Sequence, residues 1–433
     1  MADAAPTPPS QHEPAPPSNG AALPGARLAL GLLLAINLLN YVDRYVLAAV
    51  VPKIRDEFQK HDPTLNNTRL GWLGSAFFVS YMVCAPVFGW LADRMSRWLL
   101  VAVGVLLWSV ATGGSGMAGT FAVLLVCRLF VGVGEAGYGP AAPTIISDLF
   151  PVARRGTVLA WFYVAIPVGS AMGFAVGLIT SAHLGWRWAF YVVTVPGLVL
   201  GACSLFMRDP PRGGSDHATG TGRPGLAQYL RLGRNRSYVL NTAAMAAMTF
   251  AIGGISFWMP LYLTKVRGVS EGQVGKWFPA VLVVGGLAAT LTGGWLGDRL
   301  RRRFGGAYFL VSGAGMLLAC PFLLLMLRTP FPACWAVLFL AIFFLFFNTG
   351  PSNTALANVV HPTVRATAFA LNIFLIHLLG DAPASSALGW VSDHYGWPAT
   401  FTAVAAVMAL AGVLWLAGAP HLAADTDAAP RGA

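Results

Sequence analysis

Apolar and polar positions fall in long blocks along this chain. From Arg27 onward, apolar stretches of about 20 residues recur, each long enough to cross a hydrocarbon core roughly 30 Å thick as a helix. The blocks predict twelve helices, at 27–51, 69–92, 98–117, 120–142, 156–180, 186–207, 238–264, 272–296, 304–327, 332–357, 364–391 and 395–418. The longest polar interruption, 208–237, separates the sixth from the seventh. The expected architecture is an all-α membrane protein with an N-terminal six-helix bundle at 27–207, a linker at 208–237 and a C-terminal six-helix bundle at 238–418. Residues 1–26 hold seven prolines and no charged segment leading into a cleavable apolar core, so they read as a disordered tail. Residues 419–433 read as a second tail.

Composition supports the membrane assignment. Of the 433 residues, 56% are hydrophobic and 10% charged, with a mean hydropathy of +0.64. Soluble domains carry about 25% charged residues, so a soluble enzyme and a disordered chain are both excluded. The five cysteines are dispersed through apolar runs and offer neither a disulfide framework nor a metal-binding spacing. No cofactor is called for.

The net charge of +11 would suggest nucleic acid in a soluble protein. Here the basic residues sit in short loops, where they orient the chain instead. With the N-terminus inside, 17 Lys and Arg fall on the side of the tails and nine on the opposite side. Both tails and the 208–237 linker are therefore expected in the cytoplasm, with the protein in the plasma (inner) membrane.

The two halves repeat each other. GWLADRMSR at 89–97 returns as GWLGDRLRR at 294–302, and RGTVLA at Arg155 returns as RATAFA at Arg365. The first pair falls after the second helix of each half, which indicates a duplicated six-helix unit.

The G-x-x-x-D-R-x-x-R pattern at Gly89, Asp93, Arg94 and Arg97, repeated at Gly294, Asp298, Arg299 and Arg302, resembles the signature of the major facilitator superfamily. Arg128, Gly132, Gly134, Glu135 and Ala136 resemble its proton-linked motif. LNYVDRYVLAAVVP at 39–52, VGVGEAGYGPAAPTIISDLFP at 131–151, FYVAIPVGSAMG at 162–173 and IHLLGDAPAS at 376–385 are similar to segments of the Spinster family of lipid transporters. NYVDR also resembles the first helix of anion:cation symporters for carboxylates and sugar acids. The Spinster resemblance implies a monomeric transporter, not an enzyme, that moves a lysophospholipid or sphingoid phosphate by alternating access, with protons as coupling ion. It further implies that the loop residues Gly89, Asp93, Arg94, Arg97, Asp298, Arg299 and Arg155 act as conformational latches.

Few ionisable groups lie within the apolar runs, and each costs about 2.5–3.5 kcal/mol there on insertion scales. They are Asp43 and Arg44 in the first helix, Arg128 and Glu135 in the fourth, and His377 and Asp381 in the eleventh. Helical rise places Asp43 level with Arg128, and Glu135 about 10 Å deeper on the face that carries Arg128. Arginine stays charged when buried, whereas a carboxylate can take a proton. Arg44 and Arg128 are thus candidate anion receptors, with Glu135 beside them. Asp43, Glu135, His377 and Asp381 are candidate proton carriers. A pair between Asp43 and Arg128 would neutralise the helix contact, and protonating Asp43 would free Arg128 for an anionic headgroup. His377 and Asp381, at i and i+4, form either a proton relay or a packing hydrogen bond. Helices seven to ten carry no intramembrane Lys, Arg, Asp or Glu but offer Phe250, Phe257, Trp258 and a phenylalanine cluster at 343–347. An apolar C-terminal wall opposite a charged N-terminal wall suits an amphiphile, with its acyl tail towards helices seven and ten and Phe250 and Trp258 as candidate substrate contacts. The alternatives are a proton-coupled carboxylate or sugar-acid symporter, expected to place polar groups on both walls, a multidrug exporter, and a non-transporting receptor.

The charge distribution makes a topological prediction. A cysteine placed in the 208–237 linker should resist an impermeant thiol reagent applied outside intact cells, and ready labelling would reverse the orientation.

Overall fold

The computed structural model describes residues 23–92, 94–150, 152–211, 232–360 and 365–429. Among these described residues ten helices are long and apolar enough to cross a membrane, and the last, Ala368–Ala428, runs for 61 residues. That is more than twice the roughly 20–25 residues a bilayer needs. Within it the backbone breaks at Gly396, with φ 78° and ψ 172°. A side chain is strained at such a φ, so glycine is what lets this run turn back as two spans. With the 32-residue helix Val152–His183, the described residues accord with the twelve expected spans.

In chain order these are α1 Ala26–Phe58, α2 Asn67–Ala92, α3 Arg97–Met117, α4 Phe121–Leu149, α5 Val152–His183, α6 Trp186–Leu205, α7 Arg236–Val266, α8 Glu271–Arg301, α9 Ala307–Met326, α10 Ala333–Asn358, α11 365–395 and α12 397–428. No strand occurs among the described residues. Short polar side chains start several spans by taking a backbone N–H that has no partner inside the helix. Ser96, Thr120, Asn235 and Ser270 do so for α3, α4, α7 and α8.

The observed spans depart from the hydropathy blocks where local chemistry overrides composition. α1 continues seven residues past 51 to Phe58 and carries Lys53, Asp56 and Glu57 into the helix. α4 is interrupted at Gly139–Pro140, where proline offers no N–H, before resuming at Ala141–Leu149. The expected tail from 419 is helical through Ala428, because 422–429 is alanine-rich and Asp425 accepts a hydrogen bond from the Ser237 amide at the start of α7 (2.8 Å). The first tail up to residue 22, linker residues 212–231 and Asp93 lie outside the described residues, as does the Arg155 side chain.

Close packing sets the register of α1. Apolar burial drives little association between helices in lipid, so small residues that admit near approach matter more. A Cβ on Gly169 would stand 2.6 Å from Tyr41 Cβ, on Gly173 2.5 Å from the Val42 carbonyl oxygen, and on Gly177 2.6 Å from Ala49 Cβ. This stripe of α5 holds the segment of α1 that bears Asp43 and Arg44. Gly132 and Gly134 do the same for α4: Cβ atoms there would meet the Phe77 carbonyl oxygen of α2 at 2.3 Å and the Trp108 amide of α3 at 2.6 Å.

The halves meet along α2 with α11, α5 with α8 and α1 with α7. Polar ties between them gather on one side, here termed the distal face, opposite the chain termini. Lys53 pairs with Glu271 at 3.0 Å and Lys265 pairs with Asp56. Asp393 accepts hydrogen bonds from Asn67 and Thr68, and Ser385 Oγ donates to the Gly71 carbonyl (2.8 Å). Between the halves lies a cavity of about 460 Å³, within the usual range for a small-molecule site.

Replacing Gly173 by alanine should lower the unfolding temperature of the detergent-solubilised protein, at a cost of about 1–3 kcal/mol for overpacking. Gly31→Ala is the control, since nothing lies within 4 Å of a Cβ there. Equal melting of the two variants would show that the α1–α5 approach is not tight.

Candidate substrate site

Asp43 and Arg44 are successive residues on α1, about 100° apart around the helix, and they address different neighbours. Asp43, fully buried, accepts a short hydrogen bond from Thr112 Oγ1 on α3 (2.5 Å). Arg44 points into the cavity, where its Nε donates to Glu135 Oε2 on α4 at 2.7 Å. Its guanidinium also lies 5.3 Å, 5.0 Å and 5.5 Å from the ring centroids of Tyr41, Phe77 and Tyr81. Cation–π attraction from three rings adds to the ion pair.

The direct ion pair is therefore Arg44–Glu135, while Asp43 and Arg128, expected to pair, attract each other electrostatically without a hydrogen bond between them. Arg128 is 1% exposed and reaches Phe77 at 5.4 Å, yet its Nε and Nη1 have no hydrogen-bond partner. Asp43 Oδ1, Glu135 Oε1 and Asn40 Nδ2 are likewise buried and unpartnered. Such atoms are uncommon in folded proteins and each calls for an explanation. Arg128, Glu135 and Asn40 all line the cavity, so what a ligand would find there is a guanidinium with two nitrogens free to donate.

His377 and Asp381 occupy a π-helical turn of α11 and are bonded to each other, Nδ1 to Oδ2, at 2.7 Å. Gly253 on α7 leaves room for the carboxylate, since a Cβ there would stand 2.8 Å from Asp381 Oδ1. Phe78 stacks on the imidazole from the opposite half at 5.7 Å between centroids. Both residues line the cavity, together with Thr249, Ser256 and Phe257 of α7. The C-terminal wall is therefore not the purely apolar surface expected.

Neither Phe250 nor Trp258 lines the cavity. Trp258 is fully buried and its Nε1 donates to the Ser385 carbonyl (2.9 Å), while Phe250 packs half-buried against the C-terminal core. Phe257, one position away, is the aromatic that faces the cavity. The phenylalanines of α10 pack on one another and on Phe322 of α9.

The described loop residues make these contacts within their own halves. Arg97 pairs with Asp148 and donates to the Pro210 carbonyl (2.9 Å), while Asp209 accepts from the Arg97 and Trp98 amides. Asp298 accepts from Tyr308 Oη at 2.8 Å. Arg94 and Arg299 lie over Trp90 and Trp295, and a Cβ on Gly89 would meet nothing within 4 Å.

Sequence reasoning missed Thr112, Tyr41, Phe77 and Tyr81, and named Phe257 as one of several aromatics without singling it out. Helical spacing carried part of the signal, since Tyr41 stands at i−3 from Arg44 and Phe77 at i−4 from Tyr81. Thr112 carried none.

A Major Facilitator Superfamily family model matches residues 33–384. The chain is 36% identical over 375 residues to protein spinster of Drosophila melanogaster, covering 84% of this chain and 61% of that protein. It is 37% identical over 402 residues to protein spinster homolog 1 of Homo sapiens, covering 86% of this chain and 75% of the relative. Among solved structures, a bacterial homologue of the human lysosomal transporter Spinster, in an inward-facing and unoccupied conformation, superposes with a TM-score of 0.79 at 22% identity, covering 94% of this chain and 98% of that one. A D-xylose–proton symporter gives 0.71 at 16% identity, covering 90% and 97%. At these identities the two structures speak for the fold alone.

Removing one member of the Arg44–Glu135 pair leaves a charge in an apolar site. Arg44→Ala and Glu135→Ala should each destabilise the protein in detergent by about 3–5 kcal/mol, and Arg44→Met with Glu135→Leu should recover most of that loss. Thermal unfolding of the three variants tests this, and additive losses in the double variant would deny the pairing.

Proposed function

Since the chain belongs to the Spinster family of the major facilitator superfamily, a family of multi-pass transporters, we propose that it carries an amphiphile with an anionic or zwitterionic head, a lysophospholipid or sphingoid phosphate, driven by protons. The observation that carries this reading is Arg128, buried at the cavity with Nε and Nη1 unpartnered. Free guanidinium N–H groups donate to phosphate oxygens along several fixed directions, and the single ammonium of lysine does not reproduce that donor set. The acyl chain would run against the aromatic groups of both walls, Phe77 and Phe78 on one and Phe257 on the other.

Protons enter through charge balance. With both carboxylates ionised, Asp43, Arg44, Arg128 and Glu135 sum to zero. An anionic head adds a negative charge, which protonating Asp43 or Glu135 offsets. Substrate and proton binding are then linked, each raising the affinity for the other. Asp43 also holds Thr112 and no cation directly, so its protonation would leave the Arg44–Glu135 pair in place. His377 with Asp381 is a second candidate proton station, on the opposite wall.

A second reading has an observation in its favour. Thr249, Ser256, His377 and Asp381 give the C-terminal wall polar groups, as a proton symporter of a small carboxylate or sugar acid would require. A panel of lysolipids and organic acids presented to proteoliposomes, with and without a pH gradient, separates the two. The lipid reading expects lysolipid flux that a gradient accelerates, and at least about a tenfold loss in Arg128→Ala and Arg128→Lys, since each charge-assisted hydrogen bond contributes about 1.5–3 kcal/mol. Asp43→Asn should bind substrate but lose gradient-driven accumulation. Flux of a small acid with no response to lysolipids would overturn the lipid reading.

A further inference from the structure

We infer that Asp393 is a latch that closes the distal face by capping α2 from the opposite half of the molecule, and that its release is a step in opening that face. The argument starts from the backbone donors at the start of α2. The first four N–H groups of a helix have no partner within it. Here two are met locally: the Arg69 amide donates to Asn66 Oδ1 (3.0 Å) and the Leu70 amide to the Asn66 carbonyl (3.1 Å). The other two are met from α11. The Asn67 amide donates to Asp393 Oδ1 at 2.9 Å and the Thr68 amide to Asp393 Oδ2 at 2.7 Å, with Thr68 Oγ1 adding a third bond at 2.7 Å. A carboxylate is thus set on the positive end of a helix 326 residues away in the chain.

The contact stands at the end of a seam that brings α2 and α11 to backbone distance. A Cβ on Gly71 would lie 2.3 Å from the Ser385 carbonyl oxygen, and one on Gly389 would lie 2.4 Å from that of Asn67. Ser75 Oγ donates to Ser386 Oγ at 3.0 Å, and Asn67 Nδ2 to Ser392 Oγ at 2.8 Å. These groups are neutral and short-ranged, so they part once the helices separate. Asp393 is the charged member of this seam, and it is exposed, so water takes over both the carboxylate and the two amides when the helices part. That makes it a latch of modest strength. Losing a side-chain cap changes an equilibrium by about 2- to 30-fold, enough to reset the balance between closed and open distal faces without preventing folding.

The test needs no substrate, so its outcome is independent of the proposed function. The full-length protein in lipid nanodiscs, with its five cysteines replaced, receives spin labels at Lys60 and Arg328. Both positions are exposed on distal loops, one in each half. Pulsed dipolar spectroscopy then reads the distance between the halves. Asp393→Ala should raise the long-distance population by about 2- to 30-fold. Asp393→Asn should raise it less, since its amide oxygen still accepts a hydrogen bond. Thr68→Val, which removes a single bond and keeps the carboxylate, provides a milder variant should Asp393→Ala fold poorly. Asp62→Ala removes a neighbouring carboxylate whose bonds, to Thr64 and Arg69, stay within one half, and should leave the distribution unchanged. Wild-type distributions in the Asp393 and Thr68 variants would overturn the proposal. So would an equal shift in Asp62→Ala, which would mark a general effect of surface charge.

Discussion

Four charged side chains, two of each sign, are held inside one six-helix bundle at membrane depth, three of them buried and Arg44 partly open to the cavity, and much of the structure is arranged around keeping them there. Each would be costly alone in an apolar medium. Arg44 and Glu135 neutralise each other at 2.7 Å, with three aromatic rings around the guanidinium. Asp43 rests on Thr112, and Arg128 keeps two donors unused. The glycines of α4 and α5 follow from this constraint, because charges on α1 and α4 neutralise each other only if those helices sit at a fixed register. Gly132, Gly134, Gly169 and Gly173 admit the backbone contacts that fix it.

The halves divide the work unequally. The N-terminal wall carries the charge set, while the C-terminal wall contributes one coupled pair, His377 and Asp381, on a π-turn. Such turns recur at functional sites because an extra residue in the helix redirects side chains without ending it. Phe78 stacks on His377 across the cavity, so the two walls touch at the position where a ligand would sit. On the distal side, ion pairs from α1 to α7 and α8 and the Asp393 cap join the halves. Nothing about these ties is specific to a cargo. They concern which face is shut.

Much of this was legible beforehand. Hydropathy blocks suffice for the spans because a bilayer imposes a length, and the GWLADRMSR and GWLGDRLRR repeat exposes the duplication. The intramembrane ionisable residues are conspicuous for their cost, and Arg44, Arg128, Glu135, His377 and Asp381 do line one cavity. Pairing was harder to read. Asp43 and Arg128 share a level along the membrane normal, but azimuth decides contact, and Arg44 has the longer reach to Glu135. Trp258 and Phe257 differ by one residue, hence about 100° of helix, and only the latter faces the cavity. Asp393 has no sequence signal at all, because its partner is the start of a helix in the other half.

The central claim is that the buried charge set makes anion binding and proton binding a single linked event. Proton exchange on ligand binding measures this linkage directly. Purified protein in weakly buffered detergent, at a pH where the free lysophosphatidylcholine or lysophosphatidate does not titrate, is mixed with ligand while a pH indicator is followed. The account predicts proton uptake that saturates with binding of the anionic lysophosphatidate and is abolished in Asp43→Asn with Glu135→Gln. Saturable binding of lysophosphatidate with no proton uptake by the wild-type protein would contradict it.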